Sequence, residues 1–193
     1  MNKLNLTSCV FGAILTLAIA GCGGGSSSSS NGSTTEPNVG SPSQAAAKLD
    51  HTCQIPNFNA EFTARINAFR HAGAVCGGEV MGKVGPLKWN QKLQNAAMVH
   101  AKNMADLNFF AHTGLDGSTP ELRGTAAGYV GGVGENIQAG SQSIEQSFTG
   151  WANSPGHCKN MMRPDYQEYA VSCAENANSS YGRYWVMDLG VPR

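Results

Sequence analysis

The sequence predicts an α+β domain behind an export segment, and three observations carry that prediction. Apolar residues recur at helical spacing through residues 58–72 and 89–107. The late chain holds two short runs of aromatic and β-branched residues, and a turn-prone Asn176-Ala177-Asn178-Ser179 separates them. Helices first and a hairpin last indicate helices packed on a small sheet. At 193 residues the chain suffices for one core of ordinary size. Thirteen Lys and Arg balance thirteen Asp and Glu, so the electrostatic footprint of a nucleic-acid binder is absent and no nucleic-acid partner is expected.

Lys3 precedes an apolar stretch of 11 residues, Val10 to Ala20, which has the length of a signal-peptide core and falls short of the ~18 needed to span a bilayer. Residues 1–21 therefore read as an export signal. The boundary Ile19-Ala20-Gly21-Cys22 resembles a bacterial lipobox, which implies that Cys22 is acylated, becomes the new N-terminus and anchors the protein to a membrane. Gly23 stands where an Asp commonly retains such proteins at an inner membrane, so outer-membrane placement is expected in a cell with two membranes. Residues 22–50 continue as Gly- and Ser-rich sequence with no apolar period and read as a flexible linker. A coil of about 25 residues reaches roughly 25 to 30 Å. Residues 51–193 make the folded, extracytoplasmic domain, expected to be a monomer.

Cys9 leaves with the signal and Cys22 takes the lipid, so Cys53, Cys76, Cys158 and Cys173 remain. An even number in an exported chain reads as disulfides. Of the three possible connectivities, Cys53 with Cys76 and Cys158 with Cys173 closes the shortest loops and is the expected one. A zinc knot is the rival, but no Cys-x-x-Cys pair is present.

Phe58, Phe62, Ile66 and Phe69 place a first amphipathic helix over residues 58–72. The glycine-rich stretch from Cys76 to Gly85 reads as a loop. Leu93, Ala97, His100, Met104 and Leu107 then define a central helix with Asn90 as its N-cap. His100 lies on the apolar face and is expected to be a core histidine with a buried hydrogen-bond partner. A short helix is expected over residues 120–127. Another starts at the capping box of Ser143 and Gln146, runs through Ile144, Phe148 and Trp151, and ends before Pro155. Residues 166–174 and 181–190 read as an antiparallel strand pair.

Three polar residues stand in segments marked by glycine or proline or flanking the central helix. They are His112 in Phe109-Phe110-Ala111-His112-Thr113, Glu135 in Gly134-Glu135-Asn136-Ile137, and His157 in Ser154-Pro155-Gly156-His157. With Leu87-Lys88-Trp89-Asn90 ahead and Tyr184-Trp185-Val186-Met187 behind, these segments resemble the CAP superfamily of cysteine-rich secretory, antigen 5 and pathogenesis-related proteins, in its bacterial SCP-domain branch. The resemblance covers nearly all of residues 51–193. It implies a three-layer α-β-α sandwich whose large cleft carries two histidines and, in many eukaryotic members, two glutamates. His112 resembles the first histidine, Glu135 the first glutamate and His157 the second histidine. Ser154 stands where the second glutamate belongs, which removes one carboxylate from any mechanism that needs two. Glu168 resembles a recurrent family position outside that set.

The spacing has its own chemistry. Ser154 fits an N-cap and Pro155 the first helical position, which puts His157 at the third. The positive helix end disfavours the imidazolium, so His157 is expected to stay neutral. Two neutral imidazoles and a carboxylate suit zinc or another divalent cation with a fourth position open to water. The same three groups also suit a structural network in which they bond one another. The leading expectation is a non-enzymatic binding module whose cleft of His112, Glu135 and His157 holds a small ligand, an apolar one by analogy with sterol- and lipid-binding relatives, or a divalent metal. A metal-assisted hydrolase, peptidase or esterase, with Glu135 as ligand or general base is the second reading. It lacks the support of a His-Glu-x-x-His helix or a Gly-x-Ser-x-Gly elbow. A structural or adhesive envelope protein is the third. It would use Tyr166, Tyr169, Tyr181 and Tyr184 as an exposed surface, where alternating aromatics on a hairpin otherwise pack across strands.

Overall fold

The computed structural model describes residues 50–193, so the expected export signal of residues 1–21, the expected lipidation at Cys22 and the expected linker up to residue 49 lie outside the described residues. Five helices form: α1 (Phe58–Ala72), α2 (Gln91–Asp106), α3 (Pro120–Ala126), α4 (Ile144–Asn153) and α5 (Pro155–Met161). The first four fall where periodicity and caps put them. The Asn90 carboxamide oxygen accepts from the amides of Lys92 and Leu93 and so opens α2. The Ser143 hydroxyl accepts from the Gln146 amide at 3.2 Å, while the Gln146 side chain reaches back one residue further than a capping box and accepts from Gln142 at 2.8 Å.

Strands β1 (Ala74–Cys76) and β2 (Glu79–Met81) form a small hairpin, and β3 (Lys88–Trp89), β4 (Gly131–Ala139), β5 (Glu168–Glu175) and β6 (Arg183–Pro192) form the main sheet. Its order is β3-β5-β6-β4, with β3 parallel to β5 and the other pairs antiparallel. Along β6 the two faces separate by parity. Trp185, Met187 and Leu189 pack with Phe58, Phe62 and Ile66 of α1 and with Ile144 and Trp151 of α4. Tyr184 and Val186 pack with Ala97, Ala101 and Met104 of α2. The result is the expected three-layer α-β-α arrangement, with β4 as one outer strand of the sheet.

Two expectations need correction. The segment 76–85 is not all loop, because Gly77 and Gly78 both adopt positive φ (62° and 90°) and turn β1 into β2. The glycine-rich segment 131–139 is a full strand. Its Gly134 makes room rather than a turn, since a Cβ there would lie 1.9 Å from the Tyr166 hydroxyl. Tyr166, Tyr169 and Tyr184 are core residues, as packing across strands predicts, and of these four tyrosines only Tyr181 is exposed.

The second correction concerns the disulfides, which join Cys53 to Cys173 and Cys76 to Cys158. Loop length does not decide the pairing; packing does. The segment before α1 lies beside β5, where Cys173 donates its amide to the His51 carbonyl at 2.8 Å. Cys76 at the end of β1 lies against Cys158 and Met162 in a small apolar cluster under α5. The bridges close separations of 120 and 82 residues.

A buried cation ties the same region. Arg70 of α1 has no exposed surface and donates to the carbonyls of Gly85, Met161, Arg163 and Tyr166 at 2.6 to 3.3 Å. It thereby joins α1 to the approach to β3, the end of α5 and the approach to β5. Non-reducing peptide mapping is expected to recover Cys53–Cys173 and Cys76–Cys158. Removing either pair by alanine substitution is expected to cost about 2–5 kcal/mol in denaturant unfolding.

Candidate functional site

The structure brings His112, Glu135 and His157 to one open cleft of about 430 Å³, together with Asn136, Lys159, Asn160 and Arg163. The cleft wraps the outer strand, and each wall comes from a different face of the sheet. On the α2–α3 face, Glu135 of β4 is 1% exposed at its side chain. Its Oε1 lies 2.8 Å from His112 Nδ1, and its Oε2 accepts from Arg123 Nη2 at 2.6 Å.

The His112 backbone is held from both sides. His100 of α2 donates from Nε2 to the Ala111 carbonyl at 2.8 Å, and Arg123 of α3 donates to the His112 carbonyl at 3.1 Å and to that of Ser118 at 2.8 Å. His100 is thus the buried, bonded core histidine that its helical position predicts, and what it positions is the neighbour of a cleft residue. The His112 ring itself is 52% exposed, available to a ligand.

On the opposite face Asn136 points toward α5. It donates to the His157 carbonyl at 3.2 Å and accepts from Asn160 Nδ2 at 2.9 Å, while the Tyr166 hydroxyl donates to Asn160 Oδ1 at 3.1 Å. This amide network fixes α5 against the strand. His157 is the third residue of α5, as expected, but the Ser154 hydroxyl makes no capping bond; the backbone carbonyl of Ser154 accepts from Cys158 instead. His157 is held below the ordinary imidazole range chiefly by burial and then by the charge of His112. The direction agrees with the expected preference for the neutral form, and burial rather than the helix end is its main cause.

Glu168 stands at the start of β5, opposite Gly190, and does not line the cleft. Among the described residues, no group of three His, Cys, Asp or Glu is disposed to hold a metal ion. One oxygen of Glu135 accepts from Arg123 and the other lies against His112 Nδ1, so this carboxylate orients its two neighbours.

Residue-level reading of the sequence missed Arg123, Asn136, Asn160 and Asp188. The signal for Glu135 and Asp188 was alternation: Val133, Glu135 and Ile137 share one strand face, as do Tyr184, Val186 and Asp188. A carboxylate among core positions calls for a partner, and Arg123 supplies one. Asp188 sits directly across from Glu135 in β6, fully buried, with neither oxygen hydrogen-bonded among the described residues.

Burial first and the Glu135 charge second push the Asp188 carboxyl well above the ordinary range, against a smaller opposing effect of Arg123. It therefore carries a proton in the folded protein over a pH range where the unfolded chain has lost it. Its contribution to stability is complete below about pH 4, the unfolded value, and declines at up to about 1.4 kcal/mol per unit as pH rises toward the raised native value. Asp188→Asn is expected to remove that slope, so its Tm relative to the parent rises between pH 4 and pH 8 in parallel thermal melts.

The sequence profile of the CAP, or cysteine-rich secretory protein, family matches residues 63–189. The uncharacterized protein YkwD of Bacillus subtilis (strain 168) is 25% identical over 149 residues, which cover 75% of this chain and 57% of that protein. This chain thus corresponds to little more than half the length of that relative. Among solved structures, an outer surface protein of Borrelia burgdorferi is similar with a TM-score of 0.58 and 17% identity, over 69% of this chain and 92% of that one. An extracellular SCP-domain protein of Bacillus anthracis (strain Ames) gives 0.53 and 21%, over 70% of this chain and 42% of that one. At such identities the likeness is one of fold. The profile runs from α1 to β6 and takes in His112, Glu135 and His157, and on that match the chain belongs to the cysteine-rich secretory protein family.

Proposed function

We propose that this protein is a lipid-anchored, extracytoplasmic binding module that holds a small organic ligand between His112 and His157 without transforming it. The observation that carries this reading is the state of Glu135. A general base or a metal ligand has to reach the group it acts on, and the Glu135 carboxylate is 1% exposed, with one oxygen held by an arginine that is 4% exposed and the other by His112. The carboxylate works as a brace that fixes Arg123 and orients the His112 ring. What remains open to a ligand is one exposed imidazole, one neutral and partly buried imidazole, and the amide network of Asn136 and Asn160.

The cleft favours polar or anionic groups. Lys159 and Arg163 line it, while their partners Glu79 and Asp165 lie outside the lining. A pocket of this size with a few convergent polar groups is the usual form of a small-molecule site. Export is supported by the two disulfides of the domain, and anchoring by the lipobox-like boundary at Cys22.

Two measurements test these statements. Native mass spectrometry of the oxidised protein, purified from an export host without chelator, is expected to show a small organic adduct that His112→Ala/His157→Ala lacks. A zinc-sized increment in its place would transfer the site to metal chemistry, and a bare mass in both proteins would reduce it to a structural network. In cells fed an alkynyl fatty acid, the parent is expected to take up label and sediment with membranes. Cys22→Ser is expected to take up no label and remain in the supernatant.

A further inference from the structure

Two features meet beyond the cleft, on the last residues of β4. The first is the backbone. In an antiparallel pair, opposed residues exchange hydrogen bonds at every second position. Gly140 donates to Arg183 at 2.9 Å and Arg193 donates to Val130 at 3.1 Å, both in the register that joins β4 to β6. Even-numbered residues of β4 therefore bond to β6, and the odd-numbered Glu135, Ile137 and Ala139 turn their N–H and C=O groups away from the sheet. At Glu135 the outward carbonyl meets Asn160 Nδ2 at 3.4 Å. At Ile137 and Ala139 no partner follows among the described residues, because β4 has β6 as its one strand neighbour.

The second feature is a channel of about 330 Å³ along this same stretch. Phe110 and Tyr181 form one wall, and Gly150 and Ser154 of α4 and its C-cap form the other. The two rings are 43% and 50% exposed, with centroids 5.8 Å apart. No Asp, Glu, Lys or Arg lines the channel, and His157 lines both it and the cleft.

We propose that this channel is a strand-addition site that takes an extended peptide segment. The peptide pairs main chain to main chain with Ile137 and Ala139, places alternate side chains against Phe110 and Tyr181 and against α4, and ends its contact at His157. The floor decides between a peptide and a plain apolar ligand. Two donors and two acceptors lie there, and an alkyl chain would cover them without a partner, whereas an added strand satisfies all four. Unpaired strand edges template this kind of pairing, and the two walls restrict it to a single strand. At about 3.3 Å per residue, the dyad from Ile137 to Ala139 accommodates roughly three peptide residues. The proposal goes beyond the small-ligand reading of the cleft and shares His157 alone with it, so either can fail without the other.

The test uses the full chain, labelled for amide-resolved NMR, and the capped peptide acetyl-Val-Thr-Val-Thr-Val-amide at millimolar concentration. The expected result is a shift of the Ile137 and Ala139 amide signals and at least a fivefold slowing of their hydrogen exchange. The same peptide N-methylated at every amide is expected to leave both unchanged. Ala139→Pro removes an outward N–H that the sheet does not use, so it is expected to keep the fold and lose the response. Phe110→Ser/Tyr181→Ser removes the two half-exposed rings of one wall and is expected to weaken binding about tenfold, with a thermal melt confirming that the fold survives the loss of the Tyr181–Tyr184 contact. His112→Ala is expected to respond as the parent does, which separates the channel from the cleft. No response to the unmodified peptide would overturn the proposal. So would equal protection by the N-methylated peptide or by laurate, or an unchanged affinity in the double serine variant.

Discussion

Strand β4 has a neighbour on one side only, and the site is built around that fact. A strand inside the sheet has both backbone edges paired, and its two faces lie apart under separate layers. The outer strand instead lets groups from the two faces meet around its free edge. Glu135, pointing to the α2–α3 side, and Asn136, pointing to the α5 side, are adjacent in sequence and so bring His112 and His157 into one cleft. The same exposure leaves the outward groups of Ile137 and Ala139 available further along the strand.

Holding an outer strand in that position takes polar groups buried at some cost. Arg123 and Arg70 are both sequestered, and desolvating such a cation costs several kcal/mol unless its donors are met. Arg123 is met by a carboxylate and two carbonyls, and it joins α3, the segment around His112 and β4. Arg70 is met by carbonyls alone and joins α1 to the segments around β3 and α5. Across from Glu135, burial in the same low-dielectric surroundings favours the protonated form of Asp188. One buried carboxylate is thus braced by an arginine, and its neighbour has no such partner.

Much of this was legible beforehand, and the reasons differ by element. Helices α1 to α4 announce themselves because caps and apolar stripes are local features, as Asn90 and Ser143 show. The β5–β6 hairpin follows from composition and its turn. Strand β4 was hidden because Gly131, Gly132 and Gly134 depress strand propensity, although the alternation of Val133, Glu135 and Ile137 runs through them. The glycine at 134 answers to Tyr166, a neighbour 32 positions along the chain, which no local rule could see.

The sequence by itself determined the family, the helix positions and the identity of three cleft residues, because each rests on local pattern or on motif order. The tertiary structure decided the disulfide pairing, the role of Arg123, the contacts of both Glu135 oxygens and the burial of Asp188 opposite them. Those depend on which strand lies at the edge and on what burial brings beside each group. Sheet order, desolvation and contacts between distant segments exist only once the chain is folded, and they set the histidines and the carboxylate around a braced cleft.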